Sequence, residues 1–319
     1  VALASAKAAS SLVAKAASTL AVTTYAVSGG TAALTAGTTF TGTSGTATGN
    51  ITLDAVGNTS VGAVTSSAGT VDLEVTAGTL TTGAVSGLTG LVLKSSGNLA
   101  TGALTSANAG INAQSTAGSV ALASAKAASG LVANAKTTLA VTTYAVSAGT
   151  ASLTAGTTYT GTSGTATGNI TLDAVGNTSV GAVTSSGGTV DLEVTAGTLT
   201  TGAVSGGLGV TLKSSGNLGT GALTSLSGGL NALSSTGSVV ITSAKAATSL
   251  VANAKNDLNV TTYAVSGGTA VLTAGTTFTG TSGTASGNIT LDAVGITSVG
   301  TVTSSAGSID LGGDLTPLC

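Results

Sequence analysis

Residues 49–67 read GNITLDAVGNTSVGAVTSS, and the same stretch returns unchanged at 168–186, a spacing of 119. A near copy, GNITLDAVGITSVGTVTSS, begins at Gly287. The surrounding chain repeats with it: VALASAKAAS opens at Val1 and again at Val120, and VVITSAKAAT at Val239. This defines super-repeats 1–119, 120–238 and a partial 239–319. A catalytic site is needed once, whereas a unit that stacks on copies of itself gains from repetition.

Each full super-repeat divides into six segments of nearly equal length, such as GTVDLEVTAGTLTTGAVSGL and TGLVLKSSGNLATGALTSANA. Aligned segments share apolar columns: Ile51, Val71 and Leu91, then Leu53, Leu73 and Leu93. Apolar residues two apart indicate strand rather than helix. Glycines recur at fixed offsets, Gly57, Gly78 and Gly97 and then Gly62, Gly83 and Gly102, where they are expected to supply positive φ at corners. A period of about 20 residues with two or three short strands is the coil of a parallel β-helix, whose apolar face is buried by neighbouring coils. The expected fold is therefore all-β, a single continuous β-helix shaft over 1–319. At ~4.8 Å per coil it would be a rod roughly 65–75 Å long. Alanine-rich SAKAASSLVAKAAS (5–18) suits a helix by propensity, but it keeps the coil length and is read as strand and turn.

Composition narrows function mainly by exclusion. Charged residues make up 6% of the chain, against about 25% in ordinary domains. Apolar content is 42% with mean hydropathy +0.54, yet no run approaches the ~18 residues of a spanning helix, so the chain is not expected to span a membrane. A net charge of −2 and eight scattered lysines give no basic footprint for nucleic acid. VALASAKAAS lacks the charged and compact apolar regions of a signal peptide, which suggests a piece of something longer. Cys319 is the lone cysteine, so no internal disulfide is expected; pairing with another chain, pairing with a further segment of a longer protein, and no role at all are the open alternatives.

The sharpest candidate chemistry is acidic. Asp54 and Glu74 fall in one column of adjacent coils, Lys94 follows, and Asp72 shares the outer face; Asp173, Asp191, Glu193 and Lys213 repeat the set. In the third super-repeat Asp310 matches Asp72, but Gly312 replaces the glutamate. The favoured reading is a solvated outer face. A glycan patch and a hard divalent cation such as calcium are alternatives. Paired carboxylates could cleave glycosides, but with no histidine, arginine or aromatic platform beside them the chain is not expected to be an enzyme. No other cofactor is expected. Tyr25, Tyr144 and Tyr263 recur at 119, as do Phe40, Tyr159 and Phe278. They are read first as wedges filling a coil, and the tyrosines second as isolated sugar contacts. Threonine-rich segments alternate with coils bearing Asp, Lys and Val, so no long threonine ladder is expected.

GNITLDAVGNTSVGAV, TGLVLKSSGNLATGAL and GTVDLEVTAGTLTTGAV resemble the repeats of filamentous-haemagglutinin-type adhesins, over essentially the whole chain. Gram-negative bacteria export such proteins by two-partner secretion. The resemblance implies a right-handed parallel β-helix, secreted through an outer-membrane partner pore and folded outside, at the cell surface or in the biofilm matrix. It implies a stiff structural and adhesive fibre; what the shaft binds does not carry over from the resemblance, and exopolysaccharide or a host or bacterial surface are the candidate partners. Self-association into filaments is expected from exposed strand edges.

Overall fold

In the computed structural model, which describes residues 1–315, every regular element is a β-strand. Cys319 lies outside the described residues. The alanine-rich segment forms the strands Ala2–Ala8 and Ser11–Ala16, as its coil length predicted. Two compact units are distinguished, Val1–Gly161 and Thr162–Cys319, each built from parallel coils.

In the first unit a coil typically carries one short strand and one long one, as in Ile51–Ala55 followed by Thr59–Ser66; in the coil of Val71–Val75 the long strand is split into Leu80–Thr82 and Val85–Gly87. Short strands stack in register, one coil apart: Ala32 on Ile51, Val71, Leu91, Ile111, Leu131 and Ala151. Long strands form a second sheet, with Val64 on Val85, Leu104, Ala125 and Tyr144. Both columns are buried. Each fully buried Val, Leu or Ile contributes about 1.5–3 kcal/mol, and backbone hydrogen bonds link each coil to the next.

The second unit repeats the plan. Val190, Val210, Leu230, Leu250, Ala270, Ile289 and Ile309 form one short-strand column. Its long strands stack likewise, as Leu223 on Ala244 and Tyr263.

The long strand turns a corner in its middle. Pairing runs Gly42 to Val61 and resumes at Ser44 to Ala63, omitting Thr43 and Gly62. Inward residues accordingly fall at 59, 61, 64 and 66, with the alternation broken at Gly62. A side chain on Gly62 would run into the Thr43 carbonyl of the preceding coil, and Gly30, Gly37 and Gly149 are confined by carbonyls in the same way. The expected role of positive φ is thereby corrected. Among the described residues only Gly90 (φ 138°) and Gly313 (φ 89°) adopt it. Most corner glycines are required because one coil's backbone lies directly against the next.

Side chains fasten the corners. Buried Ser66 donates to the Gly49 carbonyl at 2.7 Å and accepts the Gly69 N–H at 2.8 Å. Asn50 Oδ1 accepts the Thr70 N–H of the following coil at 3.0 Å, and Asn58 accepts that of Thr79 at 3.0 Å. In the second unit Ser185, Asn169 and Asn177 make the corresponding bonds. The Gly-Asn dipeptides are thus corner clamps, with glycine giving clearance and asparagine meeting a backbone donor that the turn leaves unpaired.

Candidate functional site

The acidic cluster forms as its spacing predicted. In the first unit Asp54 pairs with Glu74, which pairs with Lys94, and Thr52 pairs with Asp72, itself beside Val92. All project from the short-strand sheet between inward aliphatic residues. In the second unit Asp173, Glu193 and Lys213 stack likewise, with Asp191 between Thr171 and Thr211. Lys213 Nζ lies 3.7 Å from Glu193 Oε2, and the two side chains are 40% and 41% exposed. A pair this exposed contributes little to stability.

Crowding leaves a mark on the aspartates. Burial holds the Asp72 carboxyl above its ordinary value; Lys94 pulls it down, while Glu74 and Asp54 push it up. Asp191 is raised by burial, against Lys213 and with Glu193, and Asp173 is raised by burial and then by Asp191 and Glu193. One oxygen of Asp72, and the same oxygen of Asp191, is buried without a hydrogen-bond partner.

The calcium alternative is not supported by this geometry. Among the described residues no three of His, Cys, Asp and Glu converge enough to hold a metal ion. Strand neighbours stand ~4.8 Å apart with side chains projecting side by side, whereas calcium needs six to eight oxygens closing at about 2.3–2.6 Å. Beside Glu74, Lys94 and Gln114 lies a shallow cleft of about 180 Å³, and the second unit has one of about 230 Å³ beside Glu193 and Lys213. Both are smaller than the ~300–1,000 Å³ typical of small-molecule sites.

The sugar-contact reading of the tyrosines is corrected. Tyr25, Tyr144 and Tyr263 are 3–4% exposed, and Phe40, Tyr159 and Phe278 at most 1%. Two of the tyrosines fill coils whose neighbours are small: Tyr25 sits between Ala6 and Gly45, and Tyr263 between Ala244 and Gly283. Burial pushes the Tyr263 phenol up to about 12 and raises Tyr25, Tyr144 and Tyr159 further.

One surface was not anticipated. Asp54, Asp72, Glu74 and Lys94 occupy the short-strand sheet, so they do not interrupt the columns of the bent sheet. There Thr46, Thr65, Ser86 and Thr105 stack coil on coil and lead to Lys126. In the second unit Thr184, Ser205 and Thr224 lead to Lys245. Segments adjacent in sequence belong to different faces, which hides this column from a linear reading. No helix among the described residues is long and apolar enough to cross a membrane. Comparison with known proteins finds no family model, curated protein or solved structure that matches the chain.

Proposed function

We propose that this chain is the repeat shaft of a secreted bacterial fibre of the filamentous-haemagglutinin type, exported by two-partner secretion to the cell surface or biofilm matrix. Its role is mechanical and adhesive, not enzymatic: a stiff spacer continuous over 1–319 that holds a binding element away from the cell and helps attach cells to other surfaces. The observation that supports this reading is the in-register stacking of coil on coil within each unit, which assembles a continuous core. Electron microscopy of the purified protein tests it. The expected particles are straight rods that lengthen by roughly 29 Å for each added super-repeat, six coils at ~4.8 Å. Compact globules would contradict the reading, as would failure of antibodies to label intact cells of the source bacterium.

A second reading, exopolysaccharide binding by the outward acidic and lysine face, draws on the corner clefts beside Lys94 and Lys213. Replacing Asp54, Asp72 and Glu74 together with alanine should then reduce retention on a glycan array. Unchanged retention would remove that face from consideration.

A further inference from the structure

The charges of this chain are sorted between its two sheets. Short strands carry the acids: Asp54, Asp72 and Glu74 in the first unit, and Asp173, Asp191, Glu193, Asp292 and Asp310 in the second. The bent sheet carries exposed lysines, Lys7 and Lys126 in the first unit and Lys245 in the second. No acid lies on its strands from Ala2–Ala8 to Leu139–Val146, nor from Thr178–Ser185 to Ile296–Ser304. Lys7, Lys126 and Lys245 make no ion pair among the described residues. Lys15, Lys94 and Lys213 share the short-strand sheet with the acids, but in the first unit Lys94 borders the acidic cluster on one side only, with Thr35 on the other.

Spacing and relief make the two faces fit each other. Lys7, Lys126 and Lys245 recur at 119, and so do Asp54 and Asp173, Asp72 and Asp191, and Glu74 and Glu193. A contact between the two kinds of face is therefore available in each unit. Around Lys126 the bent sheet presents Ala103, Thr105, Ser124, Thr143 and Ala145. Around Lys245 it presents Ala222, Thr224, Ser243, Thr262 and Ala264. Such short side chains leave the ammonium as the tallest group and let a second sheet approach to the ~10 Å of face-to-face packing.

We propose that copies of this chain associate side by side, the acidic short-strand face of one seated on the lysine-bearing bent sheet of a second. Lys126 follows the short strand Ile111–Ser115, two coils beyond that of Glu74. A neighbour displaced by about 10 Å along the axis thus brings the ammonium over the carboxylates. A five-residue strand repeated over six coils offers a strip of roughly 17 Å by 29 Å. One super-repeat would then bury about 1,000 Å² over the two copies, the lower bound of a specific interface. Charge pairing across it sets partner choice and register, and is screened by salt. The two partners use different patches, so the contact is heterologous and leaves one face of each kind free for further copies. It buries no strand edge, which separates it from end-to-end pairing, and it stands without either reading of the function given above. A copy seated there covers the acidic face that glycan binding would require.

Sedimentation velocity and electron microscopy of the whole protein, at low salt and near 1 M salt, test it. Dimers and larger species are expected at low salt, as particles wider than a single chain. They should return to monomer in high salt, where the Debye length falls to about 3 Å. K7E/K126E/K245E should stay monomeric at low salt with an unchanged circular dichroism spectrum, and so should D54K/E74K/D173K/E193K. Mixing these two variants should restore assembly, because each reversed face then meets its opposite on the other variant. K94E, on the acidic face, should not weaken the association. A wild-type protein that stays monomeric at low salt overturns the proposal. Assembly that survives high salt or the lysine reversals also overturns it, as does an equal loss in K94E. Particles that lengthen without widening would indicate edge pairing instead. Failure of the mixed variants to assemble overturns the assignment of these two faces to each other.

Discussion

Tyr25 and Gly45 are partners in adjacent coils, and a side chain on Gly45 would collide with the Tyr25 ring. Tyr263 and Gly283 stand in the same relation. An aromatic residue fits this narrow interior because the coil on one side offers alanine and the coil on the other offers nothing. Gly45→Ala is therefore expected to destabilise the protein by about 1–3 kcal/mol through overpacking, measured by denaturant unfolding. Tyr25→Phe should be neutral or stabilising, since the buried hydroxyl it removes has no partner. A marked loss on Tyr25→Phe would mean that the hydroxyl is paired after all.

Asn50 and Ser66 make a different prediction, because each satisfies backbone groups of a corner. Asn50→Ala leaves the Thr70 N–H without its acceptor and should cost about 1 kcal/mol. Ser66→Ala, at a buried site serving both a carbonyl and an N–H, should cost about 1–3 kcal/mol. Hydrogen exchange at Thr70 and Gly69 should accelerate in the respective variants. Unchanged protection would show that these side chains are not the clamps described.

Asp72 gives the protein a pH dependence of definite sign. Its folded pKa is raised, chiefly by burial, so between the unfolded and folded values the native state holds more protons than the unfolded one. Stability contributed by this group is thus highest below the ordinary carboxylate range and falls as pH rises through the folded value. Asp173 and Asp191 act in the same direction. Asp72→Asn should raise the melting temperature at neutral pH and leave it little changed in acid. A lower melting temperature at neutral pH would indicate that the charge is stabilising.

The tyrosines yield a spectroscopic test. With the Tyr263 phenol pushed up to about 12 and the other three higher, tyrosinate absorbance should stay flat through the ordinary range near 10. Ionisation should begin only on approach to 12 or with unfolding. A titrating step near 10 in the folded protein would place a tyrosine at the surface.

Much of this arrangement was legible in the residues, for identifiable reasons. Ile51, Leu53 and Asp54 could be set inward, inward and outward because alternation is strict in the short strand. Asp54, Glu74 and Lys94 could be aligned because their coils are equally long, so spacing in sequence equals register. Glycine positions were visible but their cause was not, since sequence does not distinguish a left-handed residue from one pressed against the next coil. Tyr25 was ambiguous because the inward-outward pattern breaks at Thr23 and Thr24, two polar residues astride the corner before it. The track from Thr46 to Lys126 was obscured because its members lie on long strands separated by charged short ones.

The central claim is that successive coils stack in register at constant rise, and the column Asp54, Glu74, Lys94, Gln114, Asn134 and Thr154 allows it to be measured within the first unit. With Cys319 replaced by serine, spin labels at position 54 and at 94, 114, 134 or 154 in turn give four distances by electron-spin resonance. The account predicts a linear series of roughly 10, 14, 19 and 24 Å between backbone sites, about 4.8 Å per coil. Distances that fail to rise with each further coil, or that rise at the rate of an extended or helical chain, would contradict it.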